Sequence, residues 1–147
     1  MALSTDPNTT DALSRIVQLY NADELPDNQL NDAEFSFSNP SVNTDTSKSP
    51  RNTLVVASAY ATSGKIGKTR IYYNRQSLAD LPSPPTIVKD VNTTLADVVA
   101  QLNDYYGLNI VAADYDTTAS VAGTSVTIVA KATSYLFIGQ ITLTFAV

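Results

Sequence analysis

The sequence predicts an α+β fold in one domain, and three observations carry that expectation. Apolar residues recur at helical spacing over about 12–20 and 94–106. Two pairs of strand-like segments, about 53–74 and 125–147, read as antiparallel β-hairpins. With 147 residues and 44% apolar content, the chain is long enough to bury a hydrophobic core without covalent staples. The expected organisation is a polar, acidic N-terminal arm with a short helix over 1–34, then a compact α+β body over 35–147.

In chain order, residues 1–10 are polar and predict an arm that orders on docking. Leu13, Ile16, Val17 and Tyr20 form an i, i+3, i+4, i+7 stripe, with Thr10 or Asp11 as N-cap and Asn21 at the left-handed position beyond the helix. Residues 21–34 are acidic and read as irregular connection. Phe35 and Phe37 alternate with serines as a short strand ended by Asn39-Pro40, and 39–52 is an exposed loop. Thr53–Tyr60 (TLVVASAY) and Thr69–Asn74 (TRIYYN) are strands joined through Gly64 and Gly67, and Leu78–Pro85 is a rigid proline-rich connection. Thr94 caps the central helix, with Asp97 in the capping-box position. Leu95, Val98, Val99, Leu102 and Tyr106 form its stripe, and Gly107-Leu108 a Schellman-type end. Asn109–Ala112 reads as a short strand. In the last strand Ile141, Leu143, Phe145 and Val147 alternate with Thr142, Thr144 and Ala146, so one face is expected on the core. The two hairpins echo each other: Ala59, Ala61, Thr62, Ser63 and Gly67 match Ala130, Ala132, Thr133, Ser134 and Gly139 with one inserted residue. Duplication explains this, and so does convergence of two similar hairpins.

Cysteine and histidine are both absent. That removes disulfides, thiolate sites, the commonest general base and the commonest metal ligand. The first residues carry no basic, apolar leader and no run reaches the roughly 18 apolar residues of a membrane span, so synthesis in the cytoplasm and no membrane partner are expected. Gly64-Lys65-Ile66-Gly67-Lys68-Thr69 ends like a phosphate-binding loop. Thr62 stands where the first glycine is needed, however, and strand-forming residues follow instead of a helix. Asp114-Tyr115-Asp116 begins like a calcium loop but has Ala119 and Ser125 where glycine and a carboxylate belong. No serine has a histidine or a helical Ser-x-x-Lys partner, and the acids stand in polar segments. The sequence therefore argues for a non-catalytic protein with no cofactor and no metal.

Charge is unevenly placed. Residues 1–47 hold eight acids and one base, 48–75 hold six bases and no acid, and 76–147 hold six acids and two bases, for a net of −5. Such blocks suit directional contacts, with neighbours or between subunits. Bases interleaved with tyrosines also suit single-stranded nucleic acid, but an acidic chain with a modest patch makes that partner unexpected. Tyr72-Tyr73 and Tyr105-Tyr106 come in pairs that cannot all face one core. With Lys48, Arg51 and Arg75 from the basic block, the candidate interface residues are Tyr72, Tyr73, Tyr105, Lys48, Arg51 and Arg75.

One resemblance extends this reading. The residues are Ile71-Tyr72-Tyr73-Asn74-Arg75-x-x-Leu78, then Asn92-Thr93-Thr94-x-x-Asp97-Val98-x-x-x-Leu102-Asn103-x-x-Tyr106-Gly107-Leu108. Val126-Thr127-Ile128-x-Ala130-Lys131-Ala132 and Gly139-x-Ile141-Thr142-Leu143 complete the set. Together they resemble small virion structural proteins of large tailed bacteriophages over about residues 35–147. The resemblance implies a multicopy or homo-oligomeric virion component that contacts other virion proteins, decorating the capsid or serving the neck or tail. It brings no catalytic or ligand residues. The alternative is a host-surface or glycan-binding module of the tail.

Overall fold

In a computed structural model, residues 12–22, 24, 27, 29, 30 and 34–146 are described. The chain is α+β, with two helices and nine mostly antiparallel strands among those residues. Its contacts gather into two compact units, whose described residues are 12–75 and 76–146. The first helix buries Ile16 and Val17 within the first unit.

In the first unit, α1 (Ala12–Ala22) packs against β4 (Lys68–Tyr73). Its expected N-caps, Thr10 and Asp11, lie outside the described residues. The sheet is centred on β3 (Thr53–Ala59), antiparallel to β4 along one edge, with Val55 opposite Ile71. Along the other edge lie β1 (Phe35–Phe37) and β2 (Ser41–Val42), so the segment read as an exposed loop from residue 39 contributes two residues to the sheet. Val55, Ala57, Ile71 and Tyr73 point to the buried face, as the two-residue period requires. The turn between β3 and β4 is a 3-10 turn, Ala61–Ser63. Gly64 and Gly67 follow at φ of 75° and 97°, which only glycine adopts at little cost.

In the second unit, β5 (Gln76–Ser77) precedes a 3-10 turn (Leu78–Asp80) and β6 (Thr86–Ile87). Then comes α2 (Leu95–Tyr106) with the expected caps: Thr94 and Asp97 exchange hydrogen bonds, and the Leu108 N–H reaches the Asn103 carbonyl around left-handed Gly107. The final hairpin, β7 (Ser125–Val129) against β9 (Gln140–Phe145), puts Ile141, Leu143 and Phe145 in the core. Val147 lies outside the described residues. Two pairings are parallel, β6 with β9 and β5 with β8 (Phe137–Ile138). Strands of two residues show no period, and so β5, β6 and β8 carried no strand signal.

Asn109–Ala112 is not a strand. Asn103 takes both the N–H and the C=O of Ile110, and Asp114 takes the Val111 N–H, which leaves these groups unavailable to a ladder. Tyr115 alone makes a bridge, to Ala130.

Laid over one another, the units share a plan that extends well beyond the hairpin. Leu13, Ile16, Val17 and Asn21 correspond to Leu95, Val98, Val99 and Asn103. The Asn21 side chain clamps the Leu30 N–H and C=O at 2.7 Å each, as Asn103 clamps Ile110 at 2.9 and 3.0 Å. Asn21 is therefore the last turn's clamp and not the left-handed residue beyond the helix. Five residues further on stand Phe35, bridged to Ala59, and Tyr115, bridged to Ala130. Ala59 N–H to Gly67 C=O and Ser63 N–H to Tyr60 C=O recur as Ala130 to Gly139 and Ser134 to Lys131. Val55 faces Ile71 as Val126 faces Leu143.

Candidate interaction surface

Thr53, Arg75, Asp114 and Ser134 are the buried polar or charged residues among those described. They form two hydrogen-bonded pairs. Arg75 Nε donates to Thr53 Oγ1 at 3.0 Å, and Ser134 Oγ donates to Asp114 Oδ1 at 2.8 Å. The Asn52 side chain spans the Arg75 backbone, accepting from its N–H at 2.9 Å and donating to its C=O at 3.1 Å. Loss of solvation on burial lowers the Arg75 pKa, against a smaller raising influence of Tyr73. These groups hold the ends of β3 and β4 and the turn before β8.

The polar groups that face outward converge elsewhere. In the first unit a cleft of about 340 Å³ runs between α1 and β4, lined by Ile16, Leu19, Tyr20, Glu24, Lys48, Ser49, Arg51 and Arg70–Tyr73. Lys48, Arg51 and Arg70 bring three cations to it against one acid, Glu24. Arg51 Nη1 donates to the Tyr72 carbonyl at 2.8 Å, which fixes the guanidinium beside the tyrosine. Four of the six predicted interface residues, Lys48, Arg51, Tyr72 and Tyr73, thus line one cleft.

Exposure separates them. Tyr73 and Arg75 are 2% and 5% exposed, so neither is a surface contact: strand alternation turns Tyr73 to the core and Tyr72 outward, and Arg75 is drawn in by Thr53. Tyr72 is half-buried at the cleft. Tyr105 is exposed and meets Tyr106 edge-on at 4.8 Å, in the second unit, while Tyr106 donates its hydroxyl to the Pro82 carbonyl. Burial and then the neighbouring Tyr105 raise the Tyr106 pKa. The pairs therefore divide as expected, one ring inward and one outward. Arg70 and Glu24 are not among the six predicted residues. Arg70 was legible as an outward strand position, whereas Glu24 comes near only because α1 folds back on β4.

The motifs weighed for chemistry serve the backbone. Lys68 and Thr69 open β4 and no helix follows, so the Gly-Lys-Thr has no N–H cradle behind it. Asp114 is spent on Ser134 and the Val111 N–H. Asp116 accepts from Thr118 N–H and Oγ1, which lowers its pKa. No group of three metal-ligating side chains occurs among the described residues, and no helix there is long and apolar enough to cross a membrane.

Fold and surface together define an α+β protein of two matching helix–hairpin units, each with a buried charged group hydrogen-bonded to a buried hydroxyl. The chain belongs to the family of unknown function DUF7941, which matches residues 8–147. No curated protein and no solved structure matches it.

Proposed function

We propose that the protein is a non-catalytic structural subunit of a tailed-phage particle, decorating the capsid or serving the neck or tail, and stabilising neighbours through protein–protein contacts. One observation carries the non-catalytic part. The buried charged groups described, Arg75 and Asp114, are each hydrogen-bonded to a buried hydroxyl, of Thr53 and of Ser134, where catalysis needs charged groups held ready for a substrate. Support for the particle comes from the likeness of residues 35–147 to virion proteins. The cationic cleft beside Tyr72, in a chain of net charge −5, suits directional contacts with acidic neighbours.

A mass-spectrometric inventory of purified particles, with copy number, tests this directly. Hundreds of copies indicate a shell or tube component and six or twelve a neck or baseplate one, whereas absence from intact particles refutes the reading. Deletion of residues 1–11 is expected to reduce incorporation while leaving the remaining chain folded. The second reading, a glycan-binding module of the tail, is favoured by the half-buried Tyr72 ring beside Lys48 and Arg51. It predicts that Tyr72→Ala abolishes adsorption to the host and leaves particle assembly intact.

A further inference from the structure

The common plan of the two units breaks at one sheet edge. In the first unit the Ala59 N–H bonds the Gly67 carbonyl, so by alternation Val55 and Ala57 also face β4, while Leu54, Val56 and Ser58 face away from it. The chain's own segment after Phe35 covers that outer edge. Ser36 pairs with Ser58 and Ser41 with Leu54. Between them Ser38 takes both groups of Val56, its N–H donating to the carbonyl and its hydroxyl accepting from the N–H.

In the second unit the Phe145 N–H bonds the Thr124 carbonyl and the Ala130 N–H the Gly139 carbonyl. By the same alternation Val126 and Ile128 face β9, and Ser125, Thr127 and Val129 face away. Here the cover is confined to one end: Tyr115 bridges Ala130, and the Asp116 N–H takes the Val129 carbonyl. Asp116 then turns the chain aside by accepting from Thr118, at the place where the first unit runs on to Ser38. Among the described residues nothing bonds the N–H or C=O of Ser125 or Thr127 on that edge. Charge and proline are what keep other open edges from pairing. Residues 117–130 contain neither. By contrast β4, also paired on one side alone, carries Lys68 and Arg70 and has its Tyr72 carbonyl taken by Arg51.

We infer that β7 pairs antiparallel with β7 of a second copy about a two-fold axis at Val126, which sets Ser125 of each copy opposite Thr127 of the other. In that register every outward N–H and C=O of Ser125 and Thr127 finds a partner, as Leu54 and Val56 find theirs within the first unit. The edge needs a strand that presents free backbone groups at i and i+2 and opposes no charge, and β7 is itself such a strand. The same patch serves both copies, so the contact is isologous and closes at a dimer. It deepens the assembly reading by naming the surface that joins copies, and rests on that reading for its place in the particle.

The chain has no cysteine, so introduced thiols report the register. Ser125→Cys and Thr127→Cys proteins are oxidised separately and as an equal mixture. Opposed residues lie about 5.5 Å apart between Cα atoms, within disulfide reach, whereas like positions lie diagonally at about 7–8 Å, at or beyond its limit. The mixture is expected to form disulfide dimers about 10-fold faster than either protein alone. In sedimentation and native mass spectrometry, wild type is expected to pass from monomer to dimer with rising concentration. Thr127→Pro removes an edge N–H without touching the bonds to β9, and is expected to weaken the dimer about 10-fold or more. Circular dichroism checks folding; should Thr127→Pro fail to fold, Ser125→Lys replaces it. Wild type that stays monomeric to about 1 mM, a mixture that cross-links no faster than its components, or a variant that associates as well as wild type overturns the inference. A monomeric wild type whose Thr127→Pro variant is lost from particles assigns the edge to a different protein and overturns it likewise. Dimers in solution with no copies in purified particles remove the particle reading and leave this contact standing.

Discussion

Asn21 and Asn103 each do with one side chain what a short strand would otherwise do, satisfying both backbone groups of a residue leaving a helix. Ile110 is buried, so Asn103→Ala leaves its N–H and C=O without that partner and is expected to cost about 1–3 kcal/mol in urea unfolding, with Asn21→Ala acting alike in its own unit. An unchanged midpoint for both variants would show that water replaces the clamp. Asp97 tests the cap of α2. Hydrogen bonds from the Thr94 N–H, and then from the Thr94 hydroxyl, hold its pKa below the ordinary 3.8. The folded value lies below the unfolded one, so its contribution is complete above the ordinary value and is lost as pH falls through the folded one. Amide protection in the first turn of α2, relative to intrinsic exchange at the same pH, should therefore fall below about pH 4, and Asp97→Asn should remove that pH dependence. Neither clamp could be recognised from the residue alone, since an asparagine near a helix end serves equally as a left-handed terminator.

At the scale of elements, periodic segments were readable and short ones were not. The hairpins β3–β4 and β7–β9 and the helix α2 declare themselves through alternation or a 3.6 period together with caps. β2, β5, β6 and β8 have two residues each and owe their existence to a neighbour's free edge. The Ala-Thr-Ser echo between hairpins, ambiguous as letters, becomes specific once clamp, bridge, turn bonds and register recur in the same order. Duplication leaves that pattern, and convergence of two turns does not. Phe137→Ala should cost about 3–5 kcal/mol, as expected of a filled core, whereas Lys65→Ala should stay within about 0.5 kcal/mol because its ion pair is exposed. Equal effects at the two positions would contradict the burial of Phe137 and the exposure of the Lys65–Glu34 pair.

For the molecule as a whole, the distribution of charge matters more than its sum. Of the six bases between residues 48 and 75, Lys48, Arg51 and Arg70 line the cleft at Tyr72, while the stretches on either side in sequence are acidic. A contact between that cleft and an acidic neighbour is attractive at long range and screened by salt. Binding of such a neighbour is therefore expected to weaken from about 0.05 to 0.5 M salt, where the Debye length shrinks below the spacing of the charges. Binding that strengthens over that range would point to an apolar contact without the charge match, and Arg70→Glu would then leave it unaffected.

Composition and local periodicity determined the α+β class, the two hairpins, the capped helix and the absence of imidazole and thiol, because each depends on residues close together in the chain. The fate of Tyr73 and Arg75, the burial of Asp114 against Ser134, the parallel two-residue strands and the burial of Phe137 depend on residues far apart in sequence. Those were settled only when backbone hydrogen bonds and core volume had to be satisfied at once, which is a property of the packed structure and of no segment within it.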